Sequence, residues 1–360
     1  MDLNLLMSTT IYGSVLALLA LGITIIYMTT KVFNFAHPRL SLVGAYLAAT
    51  AMAVYVQHAG IKPNFEGSQV LGGQLIVPYP ASVYIIGFLV AMVGGVLAAM
   101  FEYYVILKPL LKRGADFLKL MIATLAYDFL LMAVLLLYNT HVWIKKTLKD
   151  GLNLIATKMD FSAYDFALIT QGQTYISGGF ILAVAVTVVL ALSLYILLFR
   201  TTLGIKMRAS VENPPLAEVL GVNVERIYAI SWIISGLTAG IAGFLMLLEP
   251  SSGSLKPISA TSPADEIVVS AFAGSIVGGV NSIFGSIFGG FFIGYVETYV
   301  TNWLALLLGM KELFKYSRVV SMFIVGLTLM FAPQGVIALL REKKVVDRIL
   351  GFVKGRRGEK

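Results

Sequence analysis

The sequence predicts an all-α, polytopic membrane protein of about nine transmembrane segments, eight long and one short and glycine-broken. Three observations predict it. Of the 360 residues, 58% are hydrophobic and only 13% charged, a balance outside that of soluble domains. The apolar residues collect in runs near the roughly 20 residues that cross a bilayer as a helix. Lys and Arg, 27 against 19 acids, gather between those runs. They form no basic stripe with stacking aromatics, so the excess records orientation and not nucleic-acid binding.

The first run, 5–28, follows Asp2 without a basic n-region or a small-residue cleavage site, so it is expected to stay as a span. The others are 40–56, 81–107, 120–138, 176–199, 227–248, 283–308 and 319–340. The stretch 267–280, IVVSAFAGSIVGGV, is short and suits a buried or broken crossing. Basic residues cluster at 108–119, in 200–226 and after Arg341, all expected on the cytoplasmic side. Nine crossings from an external N-terminus satisfy all three clusters, whereas eight would put the tail outside. The chain therefore divides into a transmembrane domain, 1–341, containing a cytoplasmic loop at 200–226, and a basic cytoplasmic tail, 342–360. External loops are expected at 57–80, 139–175 and 249–266 and around Lys311; in the second, Lys145, Lys146, Lys149 and Lys158 are offset by Asp150, Asp160 and Asp165. Small residues four apart, such as Gly236 and Gly240 or Gly285 and Gly289, allow helices to approach closely. No strict internal repeat is visible.

Within 200–226, Asn213 suits an N-cap, Pro214 a first helical position and Gly221 a C-terminal stop. The result is a helix of about two turns, roughly 10 Å long. Leu216, Val219 and Leu220 share one face while Glu218 points away from it. So short a helix is marginal without a surface to receive it, and the pattern reads as a docking knob.

The chemistry that is missing narrows the function. The chain has no cysteine, which excludes thiolate catalysis and Cys-bound metal. His37, His58 and His141 are scattered, so no metal site is expected, and no cofactor motif appears. There is no P-loop, so any ATP is bound on another chain. Three acids fall in or near spans. Glu102, close to Lys108, is expected to pair with it at the interface; Asp128 and Glu297 are more central and suit either a structural hydrogen bond or a transport role. Two places interrupt apolar sequence as discontinuous helices would: 34–44, with Asn34, Phe35 and His37, and 274–289, with Asn281 and Ser282. Broken backbone in a bilayer lines a cavity or is buried in protein, so these five residues are expected near a solute route.

Five stretches in order resemble the permease subunits of bacterial and archaeal ABC importers for leucine, isoleucine and valine. They are 21–27 with Asn34-Phe35-Ala36-His37, Glu102 with Lys108-Pro109-Leu110, Glu212-Asn213-Pro214 through Leu220-Gly221-Val222-Asn223, Ser235-Gly236-Leu237 with 239–243, and Gly278-Gly279 through Glu297. The family usually continues the histidine with glycine and often an acid, where this chain has Pro38 and Arg39. The resemblance implies a non-catalytic translocation subunit in the cell membrane. It implies ABC ATPase subunits, a second permease subunit, identical or paralogous, and an external solute-binding protein as partners. Asn213, Pro214, Leu216, Glu218, Val219, Leu220 and Gly221 would then couple to the ATPase. Related permeases carry urea, short amides or other small polar solutes. The rival reading, a proton-coupled secondary transporter using Asp128 or Glu297, leaves the knob idle, and no filter-like stretch supports a channel.

Overall fold

The computed structural model describes residues 3–61, 69–71, 74–76, 80–140, 167–171, 174–248, 262–309, 317–332 and 334–336. The chain runs through α1 (Leu3–Thr30), α2 (His37–His58), a hairpin β1 (Gln69–Leu71) and β2 (Gln74–Ile76), and α3 (Ala81–Phe101). A π-helical turn, Glu102–Leu107, prolongs α3 into α4 (Lys108–Lys112). Then come α5 (Phe117–Thr140), a hairpin β3 (Ala167–Gln171) and β4 (Thr174–Ser177), α6 (Gly178–Arg200), α7 (Thr202–Glu212) and α8 (Pro214–Val219). The rest is α9 (Val224–Leu247), α10 (Ser262–Gly278), α11 (Ile283–Tyr295), a second π-helical turn (Val296–Val300), α12 (Thr301–Leu307) and α13 (Ser317–Phe331). Among the described residues seven helices are long and apolar enough to cross a membrane, and Ile267–Gly278 and Ser317–Phe331 are shorter apolar helices.

The protein is an all-α polytopic membrane protein, with departures from expectation at four places. The run 319–340 is not one helix: α13 ends at Phe331, and the chain turns at Gly335, φ +90°, whose backbone lies against Gly279. The stretch 34–44 is not broken throughout, because α2 starts at His37 with Pro38 in its first turn, where a missing N–H costs nothing. Antiparallel hairpins stand within 57–80, expected only as a loop, and at 167–177, which runs from the expected loop 139–175 into the start of the run 176–199. The basic tail, and the lysines and acids of 145–165, lie outside the described residues.

The fourth departure is a repeat. α1 packs along α11 as α9 packs along α3, and α2 sits on α3 as α10 sits on α11. The close approaches correspond. A Cβ on Gly290 would lie 2.4 Å from the Ala17 backbone, and one on Gly95 would lie 2.7 Å from that of Gly240. Only glycine allows either pair of helices so near. Gly94-Gly95 precedes Glu102, Tyr104 and Val105 with the same spacing by which Gly289-Gly290 precedes Glu297, Tyr299 and Val300. Each glutamate lies in a π-helical turn. The second unit runs opposite to the first: α9 lies parallel to α2, with Ser235 beside His37 and Gly243 beside Ser41.

α1 is predominantly apolar and sits at the centre, almost wholly buried, while α6 at the periphery is mostly exposed. Proline explains the first π-helical turn. Pro109 lacks an N–H and its ring would crowd the carbonyl four residues back, so the widened turn before it absorbs the misfit. In the second, threonine does the work: Thr301 Oγ1 donates to the Val296 carbonyl at 3.2 Å and Thr298 Oγ1 to that of Gly294 at 2.7 Å.

Candidate coupling helix and polar turn

The knob forms as its sequence dictates. Asn213 Oδ1 accepts from Leu216 N at 3.1 Å, and Pro214 opens α8. Gly221 takes φ +80°, and the Val222 N–H reaches the Ala217 carbonyl at 2.9 Å, closing the helix by a left-handed glycine. Asn223 then caps α9 by accepting from Arg226 N at 2.9 Å. One residue, Val222, separates the glycine that stops α8 from the cap that starts α9, so the two helices are joined stiffly. Ala217 is the buried foot of α8, whereas Leu216, Val219 and Leu220 are 54%, 84% and 72% exposed. Glu218 is exposed too.

α7 lies across the end of α6. Thr201 caps it, and Arg208 donates to the Leu198 carbonyl while its guanidinium sits 5.3 Å from the Phe199 ring. Beneath it an apolar cavity of about 230 Å³ is lined by residues including Met28, Leu194, Met207 and Ile234.

The second site is the turn between α1 and α2. Lys31, φ 57°, ends α1 in the left-handed conformation, and its amide returns to the Tyr27 carbonyl at 2.9 Å. The chain then climbs back along α1, for the His37 ring lies against Gly22, about 12 Å from the end of α1 by the 1.5 Å rise per residue. Buried polar groups fix this climb. Asn34 Oδ1 accepts from Ala36 N at 2.9 Å, and Asn34 Nδ2 donates to Glu102 Oε2 at 2.9 Å. Phe35 N donates to Thr124 Oγ1 at 3.2 Å, and His37 Nδ1 shares a hydrogen bond with Ser235 Oγ at 2.9 Å. Between these anchors the Phe33 and Phe35 rings, partly exposed, pack on Phe272 with centroids 5.8 and 5.1 Å away.

Asn34, Phe35 and His37 thus come together, the first and third fully buried. Asn281 is exposed at the turn between α10 and α11, and Ser282 caps α11 by accepting from Gly285 N at 3.1 Å. Neither has a bond to the first group among the described residues.

The acids are engaged. Asp128 receives two hydrogen bonds from Arg39, and Glu297 accepts from Tyr12 at 2.7 Å, Ser270 at 2.6 Å and Ser321. The pairing of Glu102 with Lys108 does not occur. The two lie six residues apart, off the three-or-four spacing that brings helical side chains together. Lys108 instead pairs with Glu225 in the first turn of α9, where the Tyr103 hydroxyl also donates to the Glu225 carbonyl at 3.2 Å. Sequence reading missed Glu225, Tyr103, Thr124 and the Arg39–Asp128 pair. Its nearest signal was Arg39 standing where an acid is usual.

A capped knob, a polar turn and a glycine-packed bundle are the features to set beside known proteins. The chain matches the family described as branched-chain amino acid transport system, permease component, over residues 5–333. It is 35% identical to a probable branched-chain amino acid transport permease protein LivH of Methanocaldococcus jannaschii, over 91% of this chain and 89% of that one. It is 25% identical to the high-affinity branched-chain amino acid transport system permease protein BraD of Pseudomonas aeruginosa, over 92% and 94% of the two chains. The corresponding LivH of Escherichia coli is 26% identical over 92% and 94%. With the family pattern running through both helical units and the knob between them, this chain belongs to the branched-chain amino acid transport permeases.

Proposed function

We propose that this chain is the translocation subunit of an ATP-driven importer for branched-chain or related amino acids, and that α8 seats in a cleft on a separate ATPase subunit. The observation that carries this reading is the outer face of α8. Leu216, Val219 and Leu220 are held exposed on a helix capped at both ends, on a chain without a P-loop. In this reading Asn213, Pro214 and Gly221 shape the knob, and Glu218 borders its apolar face. A second permease subunit, an external solute-binding protein and the lipid of the cell membrane complete the assembly.

The solute route lies where the oppositely oriented units meet. Phe35 supplies an apolar contact, Asn34 and His37 hold its turn, and Asn281 and Ser282 border the break between α10 and α11. The N-terminus is external and the tail cytoplasmic, with Ile267–Gly278 crossing as a short, buried helix. That Asp128 is paired with Arg39 and Glu297 takes three hydroxyl donors supports structural roles over a proton relay.

Reconstitution tests the reading. Vesicles carrying the chain with its ATPase and binding protein should accumulate leucine only with ATP. Uptake by the chain alone, driven by a proton gradient, would overturn it.

A further inference from the structure

Between the knob and the polar turn lies a connected set of contacts that the family resemblance does not assign. We propose that the π-helical turn Glu102–Leu107 is a relay. Lys108 and Tyr103 receive the movement of the knob, and Glu102 delivers it to the turn that carries Phe35. The inference rests on α8 being the ATPase dock.

The input end is short and stiff. α8 passes through Gly221 and Val222 directly into the Asn223 cap of α9, so displacing α8 displaces the first turn of α9. In that turn Glu225 is held at two points. Its carboxylate pairs with Lys108, which also lies 5.0 Å from the Tyr104 ring, and its carbonyl accepts from the Tyr103 hydroxyl. Tyr103 is 1% exposed and stacked on Trp232 of α9, so it follows α9. The output end is one residue away. Glu102 Oε2 accepts from Asn34, whose Oδ1 closes the turn onto Ala36, and Phe35 stands between them.

Neighbours Glu102 and Tyr103 thus face opposite clients, the pathway turn and the coupling loop. The segment joining them is the one place along α3 where backbone bonding changes from α to π. A π turn carries one residue beyond the α repeat, and such turns recur at functional sites. In the proposed relay this turn switches between two arrangements, as transmission between separate sites requires.

The test uses the assembled complex, with Phe35→Cys as the single thiol in a chain that has none. Maleimide labelling at position 35 is compared without nucleotide and with MgATP and vanadate. Lys108 and Glu225 are partly exposed, so Lys108→Glu is expected to fold, to retain its ATPase and to keep its basal ATP hydrolysis. It should lose the nucleotide-dependent change in labelling and about tenfold in solute-stimulated hydrolysis, the range of ordinary coupling between sites. The exchange Lys108→Glu with Glu225→Lys should restore both. Tyr103→Phe, which removes only the hydroxyl, should lower stimulation severalfold. If Lys108→Glu leaves labelling at position 35 fully nucleotide-dependent, or the exchanged pair fails to restore it, the relay is wrong. If Leu220→Asp in the knob also leaves labelling nucleotide-dependent, the docking reading has failed instead.

Discussion

Arg39 and Asp128 face each other as a fork, Nε to Oδ1 at 2.9 Å and a terminal nitrogen to Oδ2 at 3.0 Å, inside the helical bundle. The pair pins the start of α2 to α5, four residues beyond the anchor that Thr124 provides on the Phe35 amide. Two anchors on one helix hold the turn from the α5 side while Glu102 holds it from α3. Removing the carboxylate deprives a buried guanidinium of its bidentate partner, so Asp128→Ala should destabilise the detergent-solubilised protein by about 3–5 kcal/mol. Arg39→Met with Asp128→Leu should recover most of that loss, because an apolar pair of similar volume carries no desolvation penalty. Thermal unfolding of the three proteins measures it. A stable Asp128→Ala protein that merely loses uptake would make Asp128 a transport residue.

The knob is predicted to be dispensable for folding. Leu220 is 72% exposed, so Leu220→Asp should shift stability by no more than about 0.5 kcal/mol, the usual scale for surface sites. In the assembled complex the same change should abolish solute-stimulated ATP hydrolysis, because a charge without a partner buried at an interface costs several kcal/mol. Unaltered stimulation in a correctly assembled complex would remove α8 from coupling.

Glycine packing gives a matched pair. A Cβ on Gly243 would sit 1.9 Å from the Ser41 carbonyl oxygen, whereas nothing lies within 4 Å of one on Gly326. Gly243→Ala must push α9 from α2 and should cost about 1–3 kcal/mol, the scale of overpacking. Gly326→Ala should be neutral or slightly stabilising, since alanine is the better helix former. Equal melting temperatures for the two would contradict the packing of α9 on α2.

Orientation has its own test. Accessibility tags at the two ends should report an external N-terminus and a cytoplasmic C-terminus, in keeping with the basic residues at 108–119 and in 200–226. Both tags on one side would mean that α10 or α13 does not cross.

How far the sequence revealed this molecule depended on how local each feature is. The knob was fully legible, because Asn213, Pro214 and Gly221 act on backbone within a few residues of themselves. The turn at Asn34 was legible as an interruption, but its end was misjudged, since His37, Pro38 and Arg39 read as polar loop and are instead buried helix. Hydropathy carried 319–340 past its true end; the Pro333-Gln334-Gly335 punctuation marks the stop that apolar composition concealed. The pairing of Lys108 with Glu225 was out of reach, because it exists only once α9 lies beside α3. The repeat escaped notice for a related reason. It shows in the sequence only as spacing between glycines and a glutamate, while the residues between differ.

The peripheral helix α6 gains a purpose from this inverted arrangement. In the proposed topology the unit α1, α2, α3 and α5 makes four crossings and returns the chain to the side on which it began. A second unit placed directly after it would enter with the same heading, and its glycine faces would meet those of the first in the wrong sense. In that topology one extra crossing reverses the heading, and α6 supplies it. Apart from the end that carries α7, this role asks of its sequence mainly enough length and greasiness to reach the far side. That requirement accounts for a span of 23 residues that is mostly exposed.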